Sequence, residues 1–398
     1  MRKLGLTVLI IFAFVISAFA QAVPTASPEQ VGMSSARLHQ VDGVIQREID
    51  KKTIPGAVLL VARKGKIVYQ KAYGYAEVVP KKRKMEADMI FDLASITKPV
   101  ATATSIMKLV EMGKIRLLDK IKIYIPGFSR YLEPDGEYAP DVRLYNLLTH
   151  TSGLIPYANP KFVSRIYGTP TPTDSLVRYI AQLPKISAPG EAFHYSGLGY
   201  ITMAAIIQEL SGENVADFSH QYIFKPLGMT HTMYKPPKNI LNKVVPTEVV
   251  NGIPFHGVVH DPLARLQGGI SGNAGLFSSA RDLFIFAQML LNGGEYNGVR
   301  ILSPLTVEKM THIYPKTKFS GRGLGWDLAS DYASNKGDLF SAESFGHTGY
   351  TGTSLVVDPA TQTIVILLTN RVHPKDTGSV VQLRSLVSNV VAASILSE

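Results

Sequence analysis

The chain has 398 residues, contains no cysteine and carries a formal net charge of +10 at pH 7. The absence of cysteine excludes disulfide bonds, thiol nucleophiles and cysteine-based metal sites. The basic residues are spread along the chain, and the one short run, at residues 81–84, is interpreted as a solvated loop. This distribution argues against a nucleic-acid partner and favours anionic envelope polymers or substrates that bear a carboxylate.

The N-terminus has the pattern of a secretory signal peptide. Arg2 and Lys3 precede a long apolar run, which ends at the small-x-small sequence Ala18-Phe19-Ala20. We predict a signal peptide at residues 1–20 with cleavage after Ala20, and a retained membrane anchor is the alternative. No later segment has about 18 uninterrupted apolar residues, so we expect an exported protein, periplasmic or secreted, without a membrane span after cleavage.

The two ends of the chain have similar predicted elements. Apolar residues recur at helical spacing over residues 34–51, where Ser34 or Ser35 can act as N-cap. Two β-like runs follow, at residues 57–62 and 66–73. Near the C-terminus, the pattern predicts a second β pair and then a final amphipathic helix, at residues 354–358, 363–370 and 381–395.

The middle of the chain is dominated by helical patterns and has no internal repeats. This organisation predicts one domain over residues 21–398. Both chain ends would build an α/β lobe, at about residues 30–92 and 285–398, and a helical lobe would be inserted at about residues 93–284.

The first stretch that can carry chemistry is Ser95-Ile96-Thr97-Lys98. A spacing of three residues places Ser95 and Lys98 on one face of the first turn of a helix, where the positive end of the helix dipole favours an emerging alkoxide. A neighbouring lysine can accept the proton of the hydroxyl group. The motif by itself is common, and a plain helix cap is the alternative interpretation of Ser95.

Two further stretches hold candidate residues. Tyr195 lies where a loop enters a predicted apolar helix, so its phenol can act as base toward a serine and as acid toward a leaving group. The glycine-rich stretch from Phe345 to Gly352 lies just before the predicted strand at Ser354, where a substrate can approach the backbone and receive an N–H hydrogen bond. A core tyrosine and a plain β turn are the alternatives.

Together these stretches resemble the serine β-lactamase, D-Ala-D-Ala carboxypeptidase and β-lactamase-like esterase superfamily, and its class C branch in particular. Ser95, Tyr195 and His347 lie in the family's motifs S-x-x-K, Y-x-x and H-T-G, in the family's order. Residues 147–154, 224–229 and 269–283 also resemble the family. The resemblance implies a β-lactamase-like α/β fold, with an antiparallel sheet flanked by N- and C-terminal helices and an inserted all-helical lobe.

The resemblance also implies the catalytic roles. Ser95 would be the acylated nucleophile, and Lys98 would accept its proton or hold it electrostatically. Tyr195 would be the general base and the acid toward the leaving group. The backbone N–H groups of Ser95 and Tyr350 would form the oxyanion hole. Neither a metal nor an organic cofactor is implied.

The substrate-binding residues that the resemblance implies include two departures from the class C pattern. These residues are His347, Thr348, Gly349, Tyr350 and Gly197. Class C lactamases have asparagine where this chain has Gly197, and the asparagine amide contacts the acylamide of the substrate. They usually have lysine where this chain has His347, and a histidine is mostly neutral at pH 7.

Other polar residues are interpreted as structural. The resemblance makes the stretch around His150 structural, and His256, His260 and Asp261 match no strong zinc spacing, so that a loop role is favoured. Glu111 and Asp119 are interpreted as solvent-facing or capping groups.

The predicted reaction is acyl transfer to Ser95 and then to water. The expected substrates are a small acyl ester, a β-lactam or a peptidoglycan peptide ending in D-Ala, and we expect small activated esters to react better than cephalosporins. A protein that is acylated and stalls, as a penicillin-binding or cell-wall-binding protein does, is the alternative. The oligomeric state stays open.

Overall fold

The computed structural model describes residues 23–397 of the chain. The signal peptide predicted at residues 1–20 lies outside the described residues. In chain order, the strands are β1 (Gly56–Arg63), β2 (Lys66–Glu77), β3 (Arg83–Lys84), β4 (Ile90–Asp92), β5 (Met233–Tyr234), β6 (Val249–Val250), β7 (Ile253–Pro254), β8 (Leu276–Ser279), β9 (Glu295–Tyr296), β10 (Val299–Arg300), β11 (Phe345–Thr348), β12 (Ser354–Asp358) and β13 (Thr363–Thr369).

The α-helices are numbered in the same way. They are α1 (Ser35–Leu38), α2 (Gln40–Asp50), α3 (Thr104–Glu111), α4 (Leu144–Leu148), α5 (Pro160–Tyr167), α6 (Thr173–Gln182), α7 (Gly197–Ser211), α8 (Val215–Ser219), α9 (Pro262–Leu266), α10 (Ala280–Leu291), α11 (Pro304–Thr311) and α12 (Val381–Ala393). Short turns of 3₁₀- or π-helix connect several of these elements.

A six-stranded antiparallel sheet joins the two ends of the chain. Its strand order is β11-β12-β13-β1-β2-β3. The strands predicted near residues 57–62, 66–73, 354–358 and 363–370 are therefore confirmed. The basic run at residues 81–84 differs from the expected loop, because Arg83 and Lys84 form the short edge strand β3.

The central strands are apolar because both faces of the sheet are buried. In β1, Val58 and Leu60 face the larger core, and Leu59 and Val61 face a smaller core on the other side. Successive side chains of a strand point to opposite faces, so a strand covered on both sides has no polar positions in its middle. The sheet is thus a rigid base for the edge strand β11.

The terminal helices cover one face of the sheet. Helix α2 packs against α12, and both contribute to the smaller core. Ser34 is the N-cap of α1, since its hydroxyl accepts a hydrogen bond from Arg37 N–H. The fold is therefore the predicted one, with N- and C-terminal helices flanking an antiparallel sheet.

The inserted segment packs on the opposite side and is mainly helical. It also contributes β5 and β8 to a three-stranded sheet of order β4-β8-β5, and it forms the small hairpin β6-β7. The sequence patterns predicted neither of these. Each of these strands has two to four residues, which is too short for an alternating pattern to be recognised. None of the helices within residues 23–397 is both long enough and apolar enough to cross a bilayer.

The segment after β4 differs from the single helix that was expected around Ser95. It forms a 3₁₀ turn at Ala94–Ile96, then a π-helical stretch at Lys98–Ala103, and only then α3. Bulges of π type in helices are frequent at functional sites. Here this stretch includes Lys98, whose side chain is buried in the centre of the protein.

Candidate active site

Ser95 and Lys98 are in direct contact. Lys98 Nζ donates a hydrogen bond of 2.8 Å to Ser95 Oγ and a second one of 2.9 Å to the carbonyl oxygen of Asn273. Lys98 is only 2% exposed, so these two bonds hold its amino group away from bulk water. A hydroxyl group paired with a buried lysine in this way has a proton acceptor one hydrogen bond away.

Asp92 and Ala94 fix the position of the nucleophile. Ala94 has a φ of 46°, a left-handed conformation that is unfavourable for a residue with a Cβ atom. Asp92 supports it, because its Oδ1 accepts a 2.8 Å hydrogen bond from Ala94 N–H and its Oδ2 accepts one of 2.7 Å from His260 N–H. Burial raises the pKa of the Asp92 carboxyl group, while these two N–H donors oppose the rise.

Tyr195 is held between aromatic rings at the start of α7. Its ring stacks on Tyr332 at a centroid distance of 4.9 Å and lies 4.3 Å from the ring of His150. Lys98 Nζ lies 5.1 Å from the centroid of the same ring. The phenol is therefore fixed in orientation next to the lysine that contacts the nucleophile, as a proton-transfer group requires.

His347 and Thr348 of the H-T-G motif lie in the strand β11, so the alternative interpretation of the whole stretch as a plain β turn does not hold. Strand β11 pairs with β12 along one edge. On its other edge, Gly346 pairs with Asp327, and the strand also packs against the 3₁₀ turn that holds Ser95. A side chain at Gly349 would collide with the carbonyl oxygen of Leu93, so only glycine permits this close approach.

Two threonines connect this region to the nucleophile segment. Thr351 Oγ1 donates a 2.7 Å hydrogen bond to the Asp92 carbonyl oxygen, and Thr353 Oγ1 donates one of 3.0 Å to that of Leu93. Tyr350 N–H has no hydrogen-bond acceptor in the part of the chain that the structure describes. It is therefore free to bind an oxyanion, and its role in the oxyanion hole stays a prediction.

His347 is buried and neutral. Burial, together with the positive charges of Arg322 and Lys98, holds the pKa of His347 well below its usual range. His347 Nδ1 lies 2.8 Å from the carbonyl oxygen of Thr348, which can only accept, so the proton of the neutral ring is on Nδ1. The imidazole therefore does not supply the positive charge that a lysine would provide at this position.

Arg322 supplies a permanent charge that the sequence motifs did not indicate. Its side chain is fully buried, and its guanidinium carbon lies 5.9 Å from the centroid of the Tyr195 ring. Arg322 Nη1 lies 2.9 Å from Asp327 Oδ2, in an ion pair too poorly aligned to count as a hydrogen bond. No sequence signal identifies Arg322, because it lies 25 residues from His347, outside every recognised motif.

Two cavities meet at Ser95, Tyr195 and Tyr350. The first, of about 580 Å³, we call the basic cavity because its lining has three arginines, Arg322, Arg371 and Arg384, against two aspartates, Asp327 and Asp331. The second, of about 730 Å³, we call the wide cavity, and its lining includes Lys98, Tyr157, Phe193, Gly197, Glu248, His260, Asp261, Arg265, Asn273, Asp331 and Asp376. A substrate bound across Ser95 would extend into both cavities.

The residues interpreted as structural have different positions. His150 is buried, and its Nδ1 accepts a 3.0 Å hydrogen bond from Ser196 N–H, so it supports the segment that holds Tyr195. His260 stacks on Tyr350 at 5.7 Å and lines the wide cavity, which the loop interpretation did not anticipate. Asp261 caps α9 by accepting from Ala264 N–H.

This arrangement defines a class of protein. A serine hydroxyl bonded to a buried lysine, beside a fixed phenol and a free backbone N–H, is suited to covalent acyl transfer without a metal ion. The chain belongs to the Beta-lactamase family, whose sequence profile matches residues 41–387. It is a serine hydrolase, as the family's penicillin-binding, carboxypeptidase and esterase members are.

Similar proteins include several from Salmonella. A protein of Salmonella typhimurium strain LT2, described as a putative D-alanyl-D-alanine carboxypeptidase, is 31% identical over 422 residues, which cover 98% of this chain and 96% of that protein. The protein of Salmonella typhi with the same description has the same identity and coverage. The likeness therefore extends over almost the whole length of both chains.

Solved structures share the fold. EstCE1, described as a hydrolase with promiscuous acyltransferase activity, has a TM-score of 0.72 and 24% identity, with 90% of this chain and 99% of that chain covered. The octameric penicillin-binding protein homologue of Pyrococcus abyssi has a TM-score of 0.67 and 25% identity, with 88% and 76% covered. These similarities support the β-lactamase-like fold.

Replacing either proton-transfer partner should abolish most of the activity. We expect Lys98→Ala and Tyr195→Phe each to lower kcat for a p-nitrophenyl ester by about 10²–10⁴-fold, because each removes one proton-transfer group. Both should keep a cooperative thermal transition. Peptide mapping after phosphonate treatment should find the adduct on Ser95 in the unmodified protein. An adduct on Ser152 or Ser196 would refute the assignment, and near-normal turnover by Tyr195→Phe would make another residue the base.

The buried imidazoles of His150 and His347 should make stability depend on pH. Burial lowers the pKa of both in the folded protein, whereas an unfolded histidine titrates near pH 6.5. The unfolded state therefore binds more protons below about pH 6.5, and stability falls as the pH decreases, by up to about 1.4 kcal/mol per pH unit for each imidazole.

Urea unfolding of His347→Gln at about pH 7.5 and about pH 5 tests this dependence. The variant should lose less stability on acidification than the unmodified protein, since one of the two neutral imidazoles is absent. His312→Gln is the matched control, because His312 is at the surface, and it should retain the original slope. Equal slopes for His347→Gln and the unmodified protein would show that His347 is not held neutral.

Arg322 and Asp327 should act in opposite directions on the pH dependence of kcat/KM. Arg322→Gln removes a positive charge near Tyr195, so the acid limb of the profile should move to higher pH. Asp327→Asn leaves Arg322 uncompensated, so the limb should move to lower pH. Breaking this buried pair also costs about 3–5 kcal/mol of stability, so profiles are compared only below the melting range. Shifts in the same direction would exclude the electrostatic effect.

Proposed function

We propose that this protein is an exported D-alanyl carboxypeptidase, which transfers the acyl part of a peptide ending in D-Ala to Ser95 and then to water. The observation that carries the proposal is the charge of the basic cavity. A D-Ala leaving group bears a carboxylate close to the bond that is cleaved. The basic cavity is lined by three arginines and two aspartates, which leaves an excess of one positive charge next to the nucleophile, complementary to that carboxylate.

The positive charge of the basic cavity is fixed by the fold. Arg384 is 8% exposed, and its Nη2 donates to the carbonyl oxygens of Gly349 and Thr353. Arg371 donates to the carbonyl oxygen of Tyr350 and is paired with Asp376 at 2.9 Å. Both guanidinium groups are thus held against the turn that joins β11 to β12, so their positive field acts on a bound anion without rearrangement of the protein.

The amino-terminal end of α12 adds to this field. Val380 and Val381 line the basic cavity, and α12 begins at Val381. The first N–H groups of a helix point out of its N-terminus and favour an anion there. The helix end and the three guanidinium groups together support binding of the leaving-group carboxylate in the basic cavity.

The reaction follows from these positions. As Ser95 Oγ attacks the carbonyl carbon, its proton passes to Lys98 or Tyr195, and the oxyanion is held by the N–H groups of Ser95 and Tyr350. The C–N bond breaks as Tyr195 donates a proton to the leaving D-Ala nitrogen. Water then attacks the acyl-Ser95 ester, the same groups take its proton, and Ser95 is regenerated.

The family relatives support the carboxypeptidase proposal. The Salmonella proteins described as putative D-alanyl-D-alanine carboxypeptidases are 31% identical over 98% of this chain. A short acyl ester is the second candidate substrate, because neutral His347 and Gly197 differ from the lysine and the asparagine that the class C resemblance implies for lactams. Small esters depend only on Ser95, its proton-transfer partners and the oxyanion hole, so they should also react faster than cephalosporins.

A matched pair of peptides tests the leaving-group proposal. An acyl-D-Ala-D-Ala peptide and its C-terminal carboxamide differ only in the charge that the basic cavity would bind. We expect kcat/KM for the free acid to be at least about tenfold higher, equivalent to about 1.4 kcal/mol in transition-state binding. Equal values for the two peptides would overturn the proposal. The kcat/KM values of a p-nitrophenyl ester and a chromogenic cephalosporin, measured on the same preparation, show how a short ester, the second candidate substrate, compares with the peptide.

Burst kinetics separate a turnover enzyme from a protein that is acylated and stalls. In a carboxypeptidase, the acyl-enzyme should be hydrolysed repeatedly, so product should continue to form well beyond one equivalent per Ser95. In a stalling protein, product release should stop at one equivalent per Ser95, and intact mass should show the acyl adduct persisting. The second result with D-Ala peptides would replace the enzyme proposal with a binding role.

Export is also a proposal, and it rests on the N-terminal sequence alone. The basic start, apolar run and Ala18-Phe19-Ala20 end support cleavage after Ala20. Expression of the full chain in a bacterial host, followed by cell fractionation and intact-mass analysis, should give a product that begins at Gln21 outside the cytoplasm. A full-length product in the cytoplasm would contradict export.

A further inference from the structure

The space beside Gly197 is occupied by the side chain of another residue. A Cβ atom built on Gly197 would lie 3.4 Å from Asn273 Nδ2 and 3.6 Å from Asn273 Cβ. Asn273 is only 2% exposed and lines the wide cavity together with Ser95 and Lys98. The amide of Asn273 therefore lies where a side chain at position 197 would begin.

A chain of hydrogen bonds fixes the orientation of this amide. Gln267 Nε2 donates to Ser271 Oγ at 2.8 Å, and Ser271 Oγ donates in turn to Asn273 Oδ1, also at 2.8 Å. Gln267 Nε2 also donates to the Leu263 carbonyl oxygen, which can only accept, so the direction of the chain is determined. Asn273 Oδ1 therefore already accepts a hydrogen bond, and the other polar atom of the amide, Nδ2, is identified as the nitrogen.

The amide nitrogen of Asn273 has N–H groups that are available for a hydrogen bond. Within residues 23–397, Nδ2 donates no hydrogen bond to the protein, although the residue is almost completely buried. Unlike fully buried unpaired atoms such as His347 Nε2, Asn273 Nδ2 keeps some accessible surface, so it can donate to a group bound beside it. Asn273 lines the wide cavity, in which a bound substrate would lie.

The position of Asn273 relative to the nucleophile is also fixed. Its carbonyl oxygen accepts from Lys98 Nζ at 2.9 Å, and the preceding Gly272 carbonyl oxygen accepts from Thr102 Oγ1 at 2.7 Å. Both donors belong to the π-helical stretch that begins at Lys98. The Asn273 amide is therefore held at a constant distance from Ser95, as a substrate-orienting group must be.

We propose that Asn273 Nδ2 donates a hydrogen bond to the acylamide carbonyl oxygen of the substrate, on the acyl side of the bond that Ser95 attacks. The chemical class on this side is then an N-acylated aminoacyl group, as in a peptide. This inference rests on the proposed function for the use of Ser95, and it names what the wide cavity binds. Asn273 thus supplies the amide hydrogen bond that a glycine at position 197 cannot make.

Two esters of equal length test the acylamide contact. Phenylacetylglycyl p-nitrophenyl ester contains the amide, and 5-phenylpentanoyl p-nitrophenyl ester replaces it with two methylene groups. We expect the ratio of their kcat/KM values to fall by about tenfold in Asn273→Ala, because only the first ester uses the lost donor. Asn273 also holds Lys98 through its backbone carbonyl, so the ratio of the two kcat/KM values, and not either value alone, is the measurement that tests the contact.

Exchanging the two side chains gives a stricter test. In Gly197→Asn, the new Cβ would lie in van der Waals contact with Asn273 Nδ2, and the rest of the side chain would enter the space beside this amide. The amide-containing ester should therefore react more slowly. In Gly197→Asn/Asn273→Gly, the amide is moved from one side of the same space to the other, and the ratio should recover by at least about threefold relative to Asn273→Ala. Asn370→Ala, a buried asparagine outside the wide cavity, is the control and should keep the original ratio.

The outcomes separate this inference from the proposed function. An unchanged ratio in Asn273→Ala, in a variant with a normal thermal transition, would overturn the role of Asn273. Equal loss on both esters would also overturn it, since it would indicate a general effect on Ser95 and Lys98. The two esters have the same leaving group, so their ratio does not depend on how the leaving group is bound. Equal kcat/KM values for the peptide acid and its carboxamide would therefore overturn the proposed function without affecting the ester result.

Discussion

The hydrogen bonds of Lys98 are the constraint on which the site depends. Its amino group is removed from water and held between Ser95 Oγ and the Asn273 carbonyl oxygen, at 2.8 and 2.9 Å. A lysine buried without such partners would be strongly unfavourable, so the protein has to bring a carbonyl group to it. That carbonyl comes from 175 residues further along the chain, and packing within the inserted segment places it there, as the hydrogen bond from Leu276 N–H to Thr97 Oγ1 also does.

The sheet makes the other half of the site through an equally close approach. The turn after β11 touches the segment before Ser95 at Gly349, and Thr351 and Thr353 bond to carbonyl oxygens of that segment. Because β1 and β13 are buried on both faces, this edge of the sheet cannot shift without disturbing two cores. The nucleophile and the substrate-binding strand are therefore positioned by the same rigid base.

Charge is distributed around Tyr195 differently from what the motifs imply. His347 lies at the position of the usual lysine, but burial and the neighbouring cations keep it neutral. The permanent charge comes from Arg322, whose side chain approaches the same tyrosine from another segment. A similar exchange holds for the missing amide at Gly197, where Asn273 fills the space. In both places, a function of one motif position is available from a residue outside the motif.

The sequence by itself determined the terminal helices, the four long strands of the sheet and the family, because these depend on local periodicity and short motifs. It also identified Ser95, Lys98, Tyr195 and His347 as the candidate site. It could not determine the short strands of the insert, the π-helical turn at Lys98, or the positions of Asp92, Arg322 and Asn273. Those contacts join residues that are up to 259 positions apart in the chain, and a pattern read along the chain contains no record of which distant residues come together. Only tertiary packing decided them, because a buried polar group is placed by the partners that satisfy it.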